Sequence, residues 1–95
     1  MRNVQSRHGE IDIVCVDAGD LVFVEVRQRG HARYGGAAAS VGRSKQARLI
    51  RTAQVWLPRL VTRYFGGQIP PCRFDVVAVQ QGRIDWLKQA FPGDG

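Results

Sequence analysis

Gly9-Glu10-Ile11-Asp12-Ile13-Val14-Cys15-Val16-Asp17-Ala18-Gly19-Asp20-Leu21-Val22-Phe23-Val24-Glu25-Val26-Arg27 is the stretch that decides the fold. Two runs rich in Val, Ile and Phe, Glu10 to Val16 and Leu21 to Gln28, flank the turn residues Asp17 to Asp20, which is the pattern of a β-hairpin. Strand side chains alternate, so Glu10 and Asp12 share one face of the first strand, and Glu25 and Arg27 share one face of the second. A two-residue loop closed by Asp17 and Asp20, or a four-residue loop closed by Val16 and Leu21, makes paired residue numbers sum to 37 either way. Asp12 then faces Glu25, and Glu10 faces Arg27. Directly opposed strand residues have Cβ atoms about 4.5 to 5.5 Å apart, and like charges there are destabilising unless something neutralises them. A divalent cation would do so. In the competing arrangement Glu10 and Arg27 form a cross-strand ion pair and Asp12 and Glu25 point into solvent. A one-residue slip of register would put Asp12 and Glu25 on opposite faces.

Outward from the hairpin, Gln28 to Gly42 carries Gly30, Gly35 and Gly36 without sustained periodicity and reads as a long mobile loop. From Ser44, a candidate N-cap, Leu49, Ala53, Trp56, Leu57, Leu60 and Tyr64 recur at helical spacing. Pro58 predicts a kink or break near Leu57, and Gly66-Gly67 ends the pattern. Arg48, Arg51, Arg59 and Arg63 fall on the exposed side. Arg73 to Val79 reads as a strand buried on both faces, and a last short strand covers Ile84 to Leu87. The order ββαββ predicts a mixed α/β domain.

The chain has 95 residues, 44% hydrophobic and 23% charged, enough for one domain that buries roughly 60 to 65% of its extended-chain surface. A two-domain enzyme and a large private cavity are excluded, so the site is shallow or shared. Fourteen Lys and Arg against eight Asp and Glu give a net charge of +6, which favours a polyanion, nucleic acid first. Polar residues Met1 to Asp12 do not form a signal peptide, and no apolar run approaches the ~20 residues that span a bilayer. No membrane partner is expected. Cys15 and Cys72 form no metal spacing, read as small hydrophobes and suit a reducing cytoplasm.

Oxygen-only ligands at this density suit Mg²⁺ or Mn²⁺, which take one or two carboxylates and complete their shell with water and phosphate oxygens. Such an ion activates water and stabilises charge building on phosphorus, so phosphodiester hydrolysis is the candidate reaction. Other residues carry open alternatives. His8 could join Glu10 and Asp12 in a transition-metal cluster, but Gly9 weakens the strand and a loop histidine is the simpler reading. His31 lies in the loop. Lys45 and Gln46 at the helix start either orient water or phosphate, or are ordinary surface residues. Asp75, in an apolar strand, needs a partner such as Arg73 or a helix cation. Trp56 and Trp86 read as core.

His8-Gly9-Glu10-Ile11-Asp12, Val22-Phe23-Val24-Glu25-Val26-Arg27, Tyr34-Gly35-Gly36-Ala37-Ala38, Lys45-Gln46 and Arg73-Phe74-Asp75-Val76-Val77-Ala78-Val79 resemble, in order over nearly the whole chain, the YraN family of uncharacterised bacterial proteins. That family is placed in the restriction-endonuclease-like superfamily, whose site is an Asp followed by Glu-x-Lys on adjacent strands. The resemblance implies that Asp12 and Glu25 are the metal-binding carboxylates, and Glu10 a third acid for a second ion or water. Arg27 stands where the superfamily has lysine. Arginine stays protonated at working pH, so it could hold a phosphate or an attacking hydroxide but could not act as general base. The family's N-terminal helix, with its Gly-x-x-x-Glu pattern, is absent ahead of the hairpin, so the expectation is a domain truncated at its N-terminus.

The expectation is therefore a restriction-endonuclease-like domain over residues 1–95, a Mg²⁺- or Mn²⁺-dependent nuclease or a descendant of one, with nucleic acid as partner, DNA ahead of RNA. Asp12, Glu25, Glu10 and Arg27 would form the site, and Arg29, Arg33, Lys45, Gln46, Arg48 and Arg51 would track the backbone. The alternatives are a non-catalytic nucleic-acid-binding module and a protein-interaction adaptor. A homodimer through the uncovered hairpin edge is a further expectation, by analogy.

Overall fold

The computed structural model describes residues 1–28 and 41–93. Its elements run β1 (Arg2–Ser6), β2 (Gly9–Asp17), β3 (Asp20–Gln28), α1 (Arg43–Phe65), β4 (Cys72–Gln80) and β5 (Arg83–Phe91). The hairpin register follows the turn: Asp17↔Asp20, Val16↔Leu21 and Ile13↔Val24 are all pairs. Ala18 and Gly19 hold φ of 52° and 86°, the left-handed pair of a type I′ turn, whose twist matches its strands. An ordinary L-residue in that region costs about 1 to 2 kcal/mol. Ala18→Asn is therefore expected to raise unfolding free energy by roughly 0.5 to 1 kcal/mol in a urea titration. A lowered midpoint would contradict this reading of the turn.

The sheet has five strands in the order β1-β2-β3-β4-β5. Pairing is antiparallel except between β3 and β4, which run parallel from Leu21↔Cys72 to Gln28↔Val79 because α1 carries the chain back across the sheet. The mixed α/β architecture expected of a restriction-endonuclease-like domain is thus present, with one strand more than the sequence reading supplied. In β1 only Val4 is buried, so the segment lacks the apolar alternation that marks a strand. β1 lies along β2, and the hairpin edge proposed for a dimer contact is therefore covered.

Helix α1 buries Leu49, Ile50, Thr52, Ala53, Leu60 and Val61, with Trp56 and Leu57 partly covered. Tyr64, assigned to the stripe by spacing, is exposed. The N-cap is Gly42 rather than Ser44. The helix also continues through Pro58 to Phe65. Leu60 and Val61 lie beyond the proline and are buried, and that burial outweighs one lost backbone bond. Gly66 ends the helix in the left-handed region, and the Gly67 N–H donates to Val61 O at 3.1 Å.

Side chains from α1 and one sheet face form a core containing Ile11, Val14, Leu21, Phe23, Leu49, Phe74, Val76 and Phe91. Thr52 Oγ1 donates to Arg48 O, so the Ser6 hydroxyl donates in the 2.9 Å Ser6–Thr52 contact. Trp56 Nε1 donates to Gln5 O at 2.8 Å. These two bonds fasten α1 over β1.

Asp75, wholly buried, found the partner its strand demanded. Arg73 Nε donates to Asp75 Oδ1 at 3.1 Å, and its two other guanidinium nitrogens reach Asp20 and Asp17 at 2.9 and 2.6 Å. These bonds and the three carboxylates hold the Arg73 guanidinium well above its ordinary pKa. Asp75 also accepts from Trp86 Nε1 at 2.8 Å and from the Gln89 N–H at 3.0 Å. Gln89 sits at φ 52° where the β4–β5 register shifts between Phe74 and Val76, and the carboxylate satisfies an N–H that the ladder leaves out. Trp86 is 49% exposed, not core as its apolar setting suggested, because its ring is anchored by this bond at the sheet's edge. Cys72 is likewise exposed rather than a small core residue.

Candidate metal centre

Asp12 lies just past the last recorded β2–β3 pair, Ile13↔Val24. There the Val26 N–H needs a new acceptor, and Asp12 Oδ2 takes it at 2.8 Å. One oxygen of Asp12 is thereby fixed to the neighbouring strand. Glu25 is 3% exposed on β3, and burial is the main reason its carboxyl stays protonated to higher pH than usual. The adjacent Asp12 carboxyl pushes in the same direction, and Lys45 opposes it. Asp12 and Glu25 therefore lie close enough to act on each other, one step beyond the last β2–β3 pair.

Glu25 and Asp75 stand at neighbouring places in the sheet and are treated differently. Asp75 has donors on both oxygens. Glu25 Oε2 is buried with no hydrogen-bond partner among the described residues, although Lys45 Nζ lies within ion-pair distance at 2.5 Å. The Lys45 contact has the distance of a salt bridge without the angles of a hydrogen bond. A buried carboxylate oxygen held by an ion pair but by no hydrogen bond is costly, and persists at sites that bind something.

Glu25 opens on a cleft of about 310 Å³ lined by Gly9, Glu10, Asp12, Val26, Lys45, Arg48 and Leu49 as well. Gly9, at φ 152°, brings β2 against α1 here; a Cβ would stand 3.6 Å from the Arg48 Cβ. The expected acids Glu10, Asp12 and Glu25 thus share one cleft with the expected cations Lys45 and Arg48. Arg27 does not line it, but its Nη1 stands 3.9 Å from Glu25 Oε2. Gln46 is directed elsewhere: its amide donates to Val41 O at 2.9 Å, and it lines a separate hollow with Arg43 and Phe91. Arg51 is exposed on α1. His8 sits in the β1–β2 turn, as a loop residue, with its N–H on Ser6 Oγ. Arg29, Arg33, His31 and the Tyr34 to Ala38 segment lie outside the described residues.

Among the described residues, no group of three or more His, Cys, Asp or Glu side chains could hold a metal by itself. An all-protein zinc or calcium cage therefore does not fit. Two carboxylates beside an open cleft do fit Mg²⁺ or Mn²⁺, which keep water and substrate oxygens in most of their positions. Glu25 Oε2, which no hydrogen bond holds among the described residues, is the oxygen such an ion would use. Sequence reasoning missed that Lys45 meets Glu25, because the sequence between β3 and α1 gives no register from which to place a helix terminus over a strand. No helix among the described residues is long and apolar enough to cross a membrane.

Residues 1–79 match the profile described as uncharacterised protein family UPF0102. A UPF0102 protein of Bordetella petrii is 61% identical over 90 residues, covering 95% of this chain and 56% of that protein. A second, from Cupriavidus necator, is 50% identical over 95 residues, 99% and 68% of the two chains. The UPF0102 protein YraN of Escherichia coli O139:H28 is 49% identical over 89 residues, 94% and 66%. The chain spans about half the length of the Bordetella relatives it matches, 56% and 51%. With a family profile covering most of its length and relatives this similar, the chain belongs to the UPF0102 family, that of YraN.

Proposed function

We propose that the Asp12–Glu25 cleft is the active site of a divalent-metal-dependent nuclease that hydrolyses phosphodiester bonds, with DNA as the first substrate class. The carrying observation is the contrast between the two buried acids of the sheet, Asp75 fully hydrogen-bonded and Glu25 not. Asp12 and Glu25 would hold the ion, and Glu10 would accept a hydrogen bond from water at the cleft mouth. When bound, Mg²⁺ or Mn²⁺ supplies a more acidic water and offsets charge on the attacked phosphate. Arg27 steadies a phosphate but, always protonated, cannot take a proton from the attacking water. Lys45, Arg48 and Arg51 follow one another at three-residue spacing along α1, a basic line leading out of the cleft for the sugar-phosphate backbone.

The test is a cleavage assay of the full chain with Mn²⁺ on single-stranded, duplex and branched DNA and RNA, with Asp12→Asn beside it. Mn²⁺-dependent cleavage that falls at least about 100-fold in the variant supports the reading. A second reading, a binding module without turnover, is favoured by arginine at position 27. It expects no cleavage and salt-sensitive binding that Asp12→Asn leaves intact. In either case, replacing Arg48 and Arg51 together by alanine is expected to flatten the slope of log K against log salt by about 2. An unchanged slope in a fluorescence titration would remove these two residues from the interface.

A further inference from the structure

Lys45 has a place that its own helix does not favour. It lies in the first turn of α1, where the free N–H groups already carry partial positive charge, and no acidic residue in that turn offsets it. Its ammonium instead stands 2.5 Å from Glu25 Oε2, whereas the Arg27 guanidinium stands 3.9 Å away and outside the cleft lining. The Lys45 side chain is 39% exposed, so its flexible stem has room to swing without moving the backbone. Its charge is therefore placed by Glu25, through a contact that lacks the directionality of a hydrogen bond.

We propose that Lys45 is the resident counter-ion of the metal position. It neutralises the Asp12–Glu25 pair in the metal-free protein, and a divalent cation binds by exchanging with it at Glu25 Oε2. The displaced ammonium stays in the cleft, one helical step from Arg48, where it meets the phosphate that follows the ion into the site. This assigns to Lys45, the nearer of the two cations on Glu25 Oε2, the exchange with the metal, and it rests on the metal-nuclease reading of the same cleft. A resident cation lowers metal affinity until substrate arrives, since an ammonium and a dication within a few ångströms repel each other.

The experiment is calorimetric titration of Mn²⁺ into the full chain and into Lys45→Met, Lys45→Arg, Arg27→Met and Glu25→Gln. Lys45→Met is expected to bind Mn²⁺ about tenfold more tightly than wild type. Lys45→Arg should bind no more tightly than wild type, Arg27→Met should stay within roughly threefold of it, and Glu25→Gln should lose the site. If Lys45→Met does not fold by circular dichroism, Lys45→Gln carries the same expectation. Equal or weaker binding by the neutral variant, or no Mn²⁺ binding in any form, would overturn the exchange. Tighter binding in Lys45→Met without cleavage by wild type would uphold the exchange and overturn the nuclease reading. Wild-type cleavage with unchanged affinity in Lys45→Met would do the reverse.

Discussion

Glu25→Gln is expected to lower Mn²⁺-dependent cleavage by about 10²- to 10³-fold and, in the absence of metal, to make the protein harder to unfold. On the metal-nuclease reading, the first effect follows from losing a charged ligand in the cleft lined by Asp12, Glu10 and Lys45. The second follows from burial of a carboxylate whose Oε2 has no hydrogen bond among the described residues. Glutamine keeps the shape and removes the charge, so a gain of about 1 kcal/mol is expected at neutral pH. The gain should depend on pH in a definite direction. Glu25 has a folded-state pKa above its unfolded value. Between those two values the native state holds the extra proton, so wild-type stability falls as pH rises through that window. Glu25→Gln lacks this group, and its advantage should shrink towards zero below the ordinary carboxylate range. Thermal melts of both proteins in chelator from pH 4 to 8 measure it; an advantage that grows on acidification would contradict the assignment.

Asp75→Ala has the opposite character, a large loss of stability with no direct contact with the cleft. The carboxylate is fully buried and receives Arg73, the Trp86 indole and the Gln89 N–H. Removing it leaves Arg73 Nε and the Trp86 and Gln89 N–H donors without their acceptor in a partly closed setting, while Asp17 and Asp20 keep the other guanidinium nitrogens. The expected loss is about 3 to 5 kcal/mol, a large share of the ~5 to 15 kcal/mol typical of a domain. Trp86→Phe, which removes one donor from the cluster, should cost only about 1 kcal/mol. Urea titrations of the two variants give the comparison. A loss below about 1 kcal/mol in Asp75→Ala would mean that the cluster is ornamental.

Much of this was legible in the sequence where local chemistry and burial agree. The β2–β3 register follows from Asp17 to Asp20, and with it the meeting of Asp12 and Glu25. Helix α1 was visible in its apolar spacing, and Asp75 in the mismatch between an acid and its strand. What was not legible depends on tertiary context. β1 is an edge strand with a single buried residue, so its pairing with β2 holds it rather than any pattern of its own. Pro58 reads as a break until the buried residues beyond it are counted. Trp86 reads as core until its indole is seen to be bound to Asp75. Lys45 and Gln46 are adjacent and look equivalent in sequence, yet one meets Glu25 and the other caps the backbone of Val41.

The parallel pairing of β3 with β4 also sets how the chain must fold. β1, β2 and β3 form by successive short turns, and β4 and β5 by another, so both pieces can form within microseconds. They join along one seam, Leu21↔Cys72 to Gln28↔Val79, which requires closing the whole segment that contains α1. That closure loses chain entropy before any contact compensates it, which makes it the natural rate-limiting event. Val22 and Val76, buried on opposite faces of the seam strands, are the positions where truncation should slow refolding more than it speeds unfolding.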